Sequence, residues 1–65
     1  MPIISANILS GRTTEQKSAL IRELTDAAVR TLGVKSEQVR VIIQEVAPEH
    51  WGAGGVSKAD QGEKP

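Results

Sequence analysis

More sheet face than helix to cover it is the feature that most constrains this chain. Two segments read as strands, Ile3–Leu9 and Val39–Val46, and a single amphipathic segment lies between them. The second strand is rich in β-branched residues, which suit a pleated surface. Side-chain alternation puts Val39, Val41 and Ile43 on one of its faces and Arg40, Ile42 and Gln44 on the other. Both faces therefore carry aliphatics. One helix covers one face, so the second face is expected to meet another subunit, with Arg40 at or near that junction.

The intervening helix has legible ends. Thr13 followed by Gln16 forms a capping box that satisfies free amides at a helix start near Thr13 or Thr14. Leu20, Ile21, Leu24, Ala27, Ala28, Thr31 and Leu32 follow the spacing of one helical stripe. Gly33 supplies a left-handed C-terminal residue, so the helix is expected to end near Leu32. About 19 helical residues span roughly 28 Å, and eight strand residues roughly 26 Å. The helix can thus return the chain to its starting edge, which predicts parallel strands joined by a right-handed crossover. Pro48 ends the second strand, and Trp51–Val56 has the glycines of a short hairpin. The expected fold is α+β: a β-α-β unit with a short C-terminal β-hairpin, in one domain over 1–56. A polar, mobile tail is expected over 57–65.

Size and composition narrow the function. A chain of 65 residues hides only about 60% of the surface that its unfolded form exposes. It has no Cys, and His50 is its one histidine, so disulfides and a structural metal are not expected to support it. Self-association remains, and an oligomer is predicted. Eight Lys and Arg balance eight Asp and Glu, scattered along the chain, which leaves no basic face for nucleic acid. No run approaches a membrane span, and the first residues do not resemble a signal peptide. A soluble, cytoplasmic protein without membrane contact is the expectation. The glycines at 52, 54 and 55 do not link a strand to a helix, so they are not a phosphate loop.

Four residues carry potential chemistry. With Met1 removed, Pro2 has a free secondary amine, and desolvation or a nearby cation lowers the pKa of such a group toward working pH, where a general base is most effective. The same proline equally suits the first residue of a strand. Arg12 follows Gly11 in a loop and can grip a carboxylate through two parallel hydrogen bonds, or serve as a solvated charge. Arg40, flanked by Val39 and Val41, needs a partner: an anionic ligand, or a structural carboxylate such as Glu45 or Glu37. Trp51 is the only aromatic residue and is either a packing plug or the wall of a dry pocket. His50 has no evident carboxylate partner and is left out of the catalytic set.

In combination these residues resemble the 4-oxalocrotonate tautomerase family. The resemblance rests on Pro2-Ile3; on Ile8, Leu9, Gly11, Arg12, Glu15, Gln16 and Lys17; on Val39 to Ile43 with Glu45; and on His50, Gly52, Gly54 and Gly55. It runs from Pro2 to about Gly55. It implies a homohexamer built as a trimer of dimers, with a hetero-oligomer as the variant, and an isomerase working without cofactor or metal. Pro2 is then base and acid for a 2-hydroxy-dienoate or 2-oxo-enoate such as 2-hydroxymuconate, in the setting of aromatic hydrocarbon catabolism. Arg12 holds the distal carboxylate, and Arg40, from a neighbouring subunit, holds the 2-oxo group and its carboxylate. Trp51 falls where the family usually has Phe, and Leu9 lines the same wall. Relatives that hydrate or dehalogenate unsaturated acids use an extra acidic residue, where this chain has Ala53. That activity, and a noncatalytic role in a hetero-oligomer, are the alternatives.

Overall fold

The computed structural model describes residues 2–60. Strand β1 (Ile3–Leu9), helix α1 (Thr14–Leu32) and strand β2 (Arg40–Val46) form the β-α-β unit. Short 3-10 turns at Ser36–Gln38 and Pro48–His50 flank β2, and a hairpin of β3 (Gly52–Ala53) and β4 (Val56–Ser57) follows. β1 and β2 pair in parallel from Ile3 opposite Arg40 to Leu9 opposite Val46. The expected fold class is the observed one.

Local chemistry sets the helix ends. Thr13 accepts a hydrogen bond from the Gln16 amide, and the Gln16 side chain accepts one from the Thr13 amide, both at 3.0 Å. At the other end Gly33 is left-handed, and its N–H donates to the Val29 carbonyl. β2 begins one residue later than its β-branched run. The Val39 amide donates to the Ser36 carbonyl and closes the 3-10 turn, so the strand ladder starts with the Arg40 amide donating to the Pro2 carbonyl.

The helix packs chiefly on β2. Among the described residues only Ala28 and Val39 are buried outright, at 6% and 8% exposure. Leu20, Leu24 and Ala27 of the predicted stripe are half-buried beside Ala28, as are Ile4, Ala6, Ile8, Val41 and Ile43 of the sheet. Ile21, Thr31 and Leu32 of the same stripe are exposed. A two-stranded sheet is too narrow to cover the full width of the stripe. The opposite sheet face has no element over it among the described residues, and Ile3 and Ile42 stand 65% and 49% exposed there.

The hairpin turns on Gly54 and Gly55, whose φ values of 63° and 84° give the left-handed pair that a two-residue primed turn requires. The boundary expected between residues 56 and 57 falls inside β4. Beyond it, the Lys58 amide donates to the Trp51 carbonyl, Ala59 to Pro48 and Asp60 to Ser57. The remainder of the expected tail, 61–65, lies outside the described residues, as does Met1. No helix among the described residues is long and apolar enough to cross a membrane.

Candidate active site

Pro2 and Arg40 are neighbours at the N-terminal end of the sheet. The Arg40 amide donates to the Pro2 carbonyl at 3.0 Å, which fixes the half-buried proline at the head of β1 beside the first residue of β2. Alternation turns the Arg40 side chain away from the helix-covered face, and it is exposed. Its Nη1 donates to the main-chain carbonyl of Glu37 at 2.7 Å. Of the two partners left open for Arg40, a structural carboxylate is not found among the described residues. Glu37 contributes its carbonyl, because the 3-10 turn brings that group beside the guanidinium. Glu45 lies on the helix side of β2 and pairs with Lys17 at 2.9 Å. The remaining donors of Arg40 make no hydrogen bond within the described residues, so a ligand can still be gripped.

Leu9, Arg12 and Trp51 belong to the opposite end. Leu9 closes β1 and is half-buried opposite Val46. Gly11, at φ 113°, turns the chain from β1 toward the helix and leaves the following Arg12 exposed. The Arg12 side chain makes no hydrogen bond or ion pair with the described residues. It borders an open groove of about 210 Å³ lined also by Ile8, Gln16, Lys17 and Leu20. Because Glu45 holds Lys17, Arg12 is the unneutralised cation of this groove. The spacing of Arg12 and Gln16, four apart across a helix start, carries the sequence signal for such a groove. The chance that Ile8 and Lys17 join them depends on how the helix crosses the sheet.

Trp51 follows the second 3-10 turn, beyond the end of β2. Its amide donates to Pro48 and its carbonyl accepts from Lys58, so both main-chain groups are pinned. The half-buried indole donates no hydrogen bond to the described residues. His50 is exposed beside it.

These positions divide the candidate residues into two sets. Seven strand steps from Pro2 to Leu9 amount to about 23 Å. Pro2 and Arg40 lie at one end of this length, Leu9 and Arg12 at the other. One substrate of six or so carbons cannot touch Pro2 and Arg12 of the same chain. Any site that uses both must join two copies.

Comparison with known proteins agrees with this architecture. The tautomerase enzyme family model matches residues 2–61. A probable tautomerase of Ralstonia nicotianae is 55% identical over 65 residues, spanning all of this chain and 93% of the relative. The chain belongs to the tautomerase family. Its branch follows from solved structures. TomN, a 4-oxalocrotonate tautomerase homologue in the tomaymycin biosynthetic pathway, superposes with a TM-score of 0.94 at 44% identity, over 98% of each chain. The heterohexamer 4-oxalocrotonate tautomerase of Chloroflexus aurantiacus J-10-fl gives 0.89 at 47% identity, over 92% of this chain and 97% of that one. This is a member of the 4-oxalocrotonate tautomerase family, and membership supports a tautomerase-like, isomerising function.

Proposed function

We propose that this protein is a cofactor-independent tautomerase acting on 2-hydroxy-dienoate and 2-oxo-enoate acids such as 2-hydroxymuconate, with Pro2 as general base and acid once Met1 is removed. The carrying observation is the bond from the Arg40 amide to the Pro2 carbonyl, which keeps the proline nitrogen at the same sheet end as a guanidinium with free donors. A cation there disfavours the ammonium form of the amine and lowers its pKa.

In the proposed cycle the Pro2 nitrogen takes the proton of the 2-hydroxyl group. The electron pair moves through the diene, and the resulting ammonium returns the proton to carbon 5, leaving the conjugated 2-oxo acid. Arg40, here taken from Pro2's own chain, whose sheet end it shares, rather than from the neighbouring subunit that the resemblance implies, holds the developing 2-oxyanion and the adjacent carboxylate, where preorganised positive charge stabilises the dienolate. Arg12 of another copy holds the distal carboxylate in a two-bond grip. Leu9 and Trp51, brought with Arg12 by the other copy, supply an apolar wall that strengthens these contacts by excluding water. Separation of Pro2 from Arg12 along β1 supports an oligomer, with a homohexamer as the leading form. The Chloroflexus neighbour, a heterohexamer, motivates the second reading, in which unlike chains share the site.

Ketonisation of 2-hydroxymuconate, followed spectroscopically on protein whose intact mass shows loss of Met1, tests the proposal. Pro2→Ala should lower kcat/KM by about 10²–10⁴, and Arg40→Ala by about 10²–10³. Full activity in Pro2→Ala would exclude the proline mechanism. Turnover of 3-chloroacrylate with release of chloride, in place of ketonisation, would support the hydratase alternative.

A further inference from the structure

The open sheet face contains a polar row that the proposed chemistry does not use. Alternation places Ile3, Ser5, Asn7 and Leu9 of β1 on this face with Arg40, Ile42, Gln44 and Val46 of β2. Asn7 stands directly opposite Gln44 in the parallel register. Both are exposed, and neither amide side chain hydrogen-bonds to the other or to any described residue. Leu9 and Val46 border the row on one side and Ile42, paired with Ser5, on the other. Arg40 is the face's only charge and lies at its far end. The arrangement is a pair of amides between aliphatic side chains, with Ser5 the one small hydroxyl beside them.

An apolar occupant cannot cover this surface without loss. Each carboxamide offers two N–H donors and a carbonyl acceptor, and an amide buried without partners costs about 1–3 kcal/mol. A strongly charged occupant is equally unsuited to the aliphatic residues around the row. A second copy of this chain meets both requirements, since it presents aliphatic side chains and the same self-complementary amides. Buried amides in apolar interfaces can fix which chains pair and in what register, as a single Asn does in coiled coils. The chain also needs such cover, with only Ala28 and Val39 buried outright among the described residues.

We propose that the Asn7–Gln44 row is a self-recognition element: across the open face it pairs with the same row of identical copies and excludes homologous chains that are apolar there. This rests on the oligomeric reading above and adds the choice of partner.

Native mass spectrometry after co-refolding tests it. Isotope-labelled wild type co-refolded with unlabelled wild type sets the statistical distribution of mixed assemblies. Co-refolded with the Asn7→Leu/Gln44→Leu double variant, the labelled wild type should sort into separate populations, with mixed species depleted about tenfold or more, since each unpaired amide is worth that much. Statistical mixing of the two chains would overturn the inference while leaving the oligomeric reading intact. A wild-type chain that stays monomeric would overturn both. If the double variant does not assemble alone, Asn7→Ala and Gln44→Ala decide the matter. Each should raise the concentration at which the oligomer dissociates by about tenfold, and an unchanged dissociation concentration would refute the role.

Discussion

The two faces of the β1–β2 sheet are completed in different ways. One carries Ile4, Ala6, Ile8, Val41 and Ile43 and is closed by Leu20, Leu24, Ala27 and Ala28 of its own chain. The other carries Ile3, Leu9, Ile42 and Val46 around the Asn7–Gln44 row, and no element among the described residues covers it. The closed face holds the fold together. The open face and the sheet ends hold the residues for which chemistry is proposed, and those residues fall into two groups about 23 Å apart. Under the proposed chemistry one chain of this small protein leaves its site unfinished, and a second copy brings the missing arginine.

The sharpest way to break this contrast is complementation. Pro2→Ala and Arg12→Ala should each lose about 10²–10⁴ of kcat/KM when alone. Co-refolded together, they should recover activity at sites that combine an intact Pro2 from one chain with an intact Arg12 from another. No recovery in mixed assemblies would place both residues in one chain's site and erase the separation.

Stability should distinguish the faces next. Ile43→Ala removes a half-buried side chain beneath the helix and should destabilise the fold by about 2–4 kcal/mol, seen as a lower urea midpoint. Ile42→Ala, one residue away on the open face, should chiefly raise the concentration at which the oligomer dissociates, measured by light scattering. Equal effects of the two substitutions on both readouts would mean that the faces are not functionally different.

Smaller effects sharpen the account of the closed face. Thr13→Ala removes one half of the capping box and should cost about 1 kcal/mol in thermal or urea unfolding. Glu45→Gln should cost at most about 0.5 kcal/mol, because its partner Lys17 and Glu45 itself are both partly exposed and such pairs are screened by salt. Its clearer sign should be tighter binding of dianionic ligands in the Arg12 groove, measured by calorimetry, since Lys17 is then released from its counter-ion. Unchanged anion binding would show that Lys17 is already free to serve the groove.

Most of the fold was legible in the sequence because its signals are local. The capping box at Thr13 and Gln16, the glycine stop at residue 33 and the paired glycines of the hairpin each act through hydrogen bonds or φ values within a few residues. The start of β2 was less legible. Val39 has the side chain of a strand residue, yet its amide closes a 3-10 turn, a choice that depends on where Pro2 receives Arg40. The Lys17–Glu45 pair was hidden for a similar reason. Its members are 28 residues apart and meet only because the helix crosses β2 at a particular place. The candidate residues were nameable from their chemistry and their resemblance to a family, but their spacing along the chain does not show which of them share an end of the sheet.

The sequence by itself determined the elements, their order and the excess of apolar sheet face, since periodicity, capping and glycine placement are short-range properties. Only the tertiary structure decided that Pro2 and Arg40 share one end, that Arg12 stands at the other, and that Asn7 faces Gln44. Parallel register and helix crossing set those distances, and both arise from packing between segments far apart in the chain.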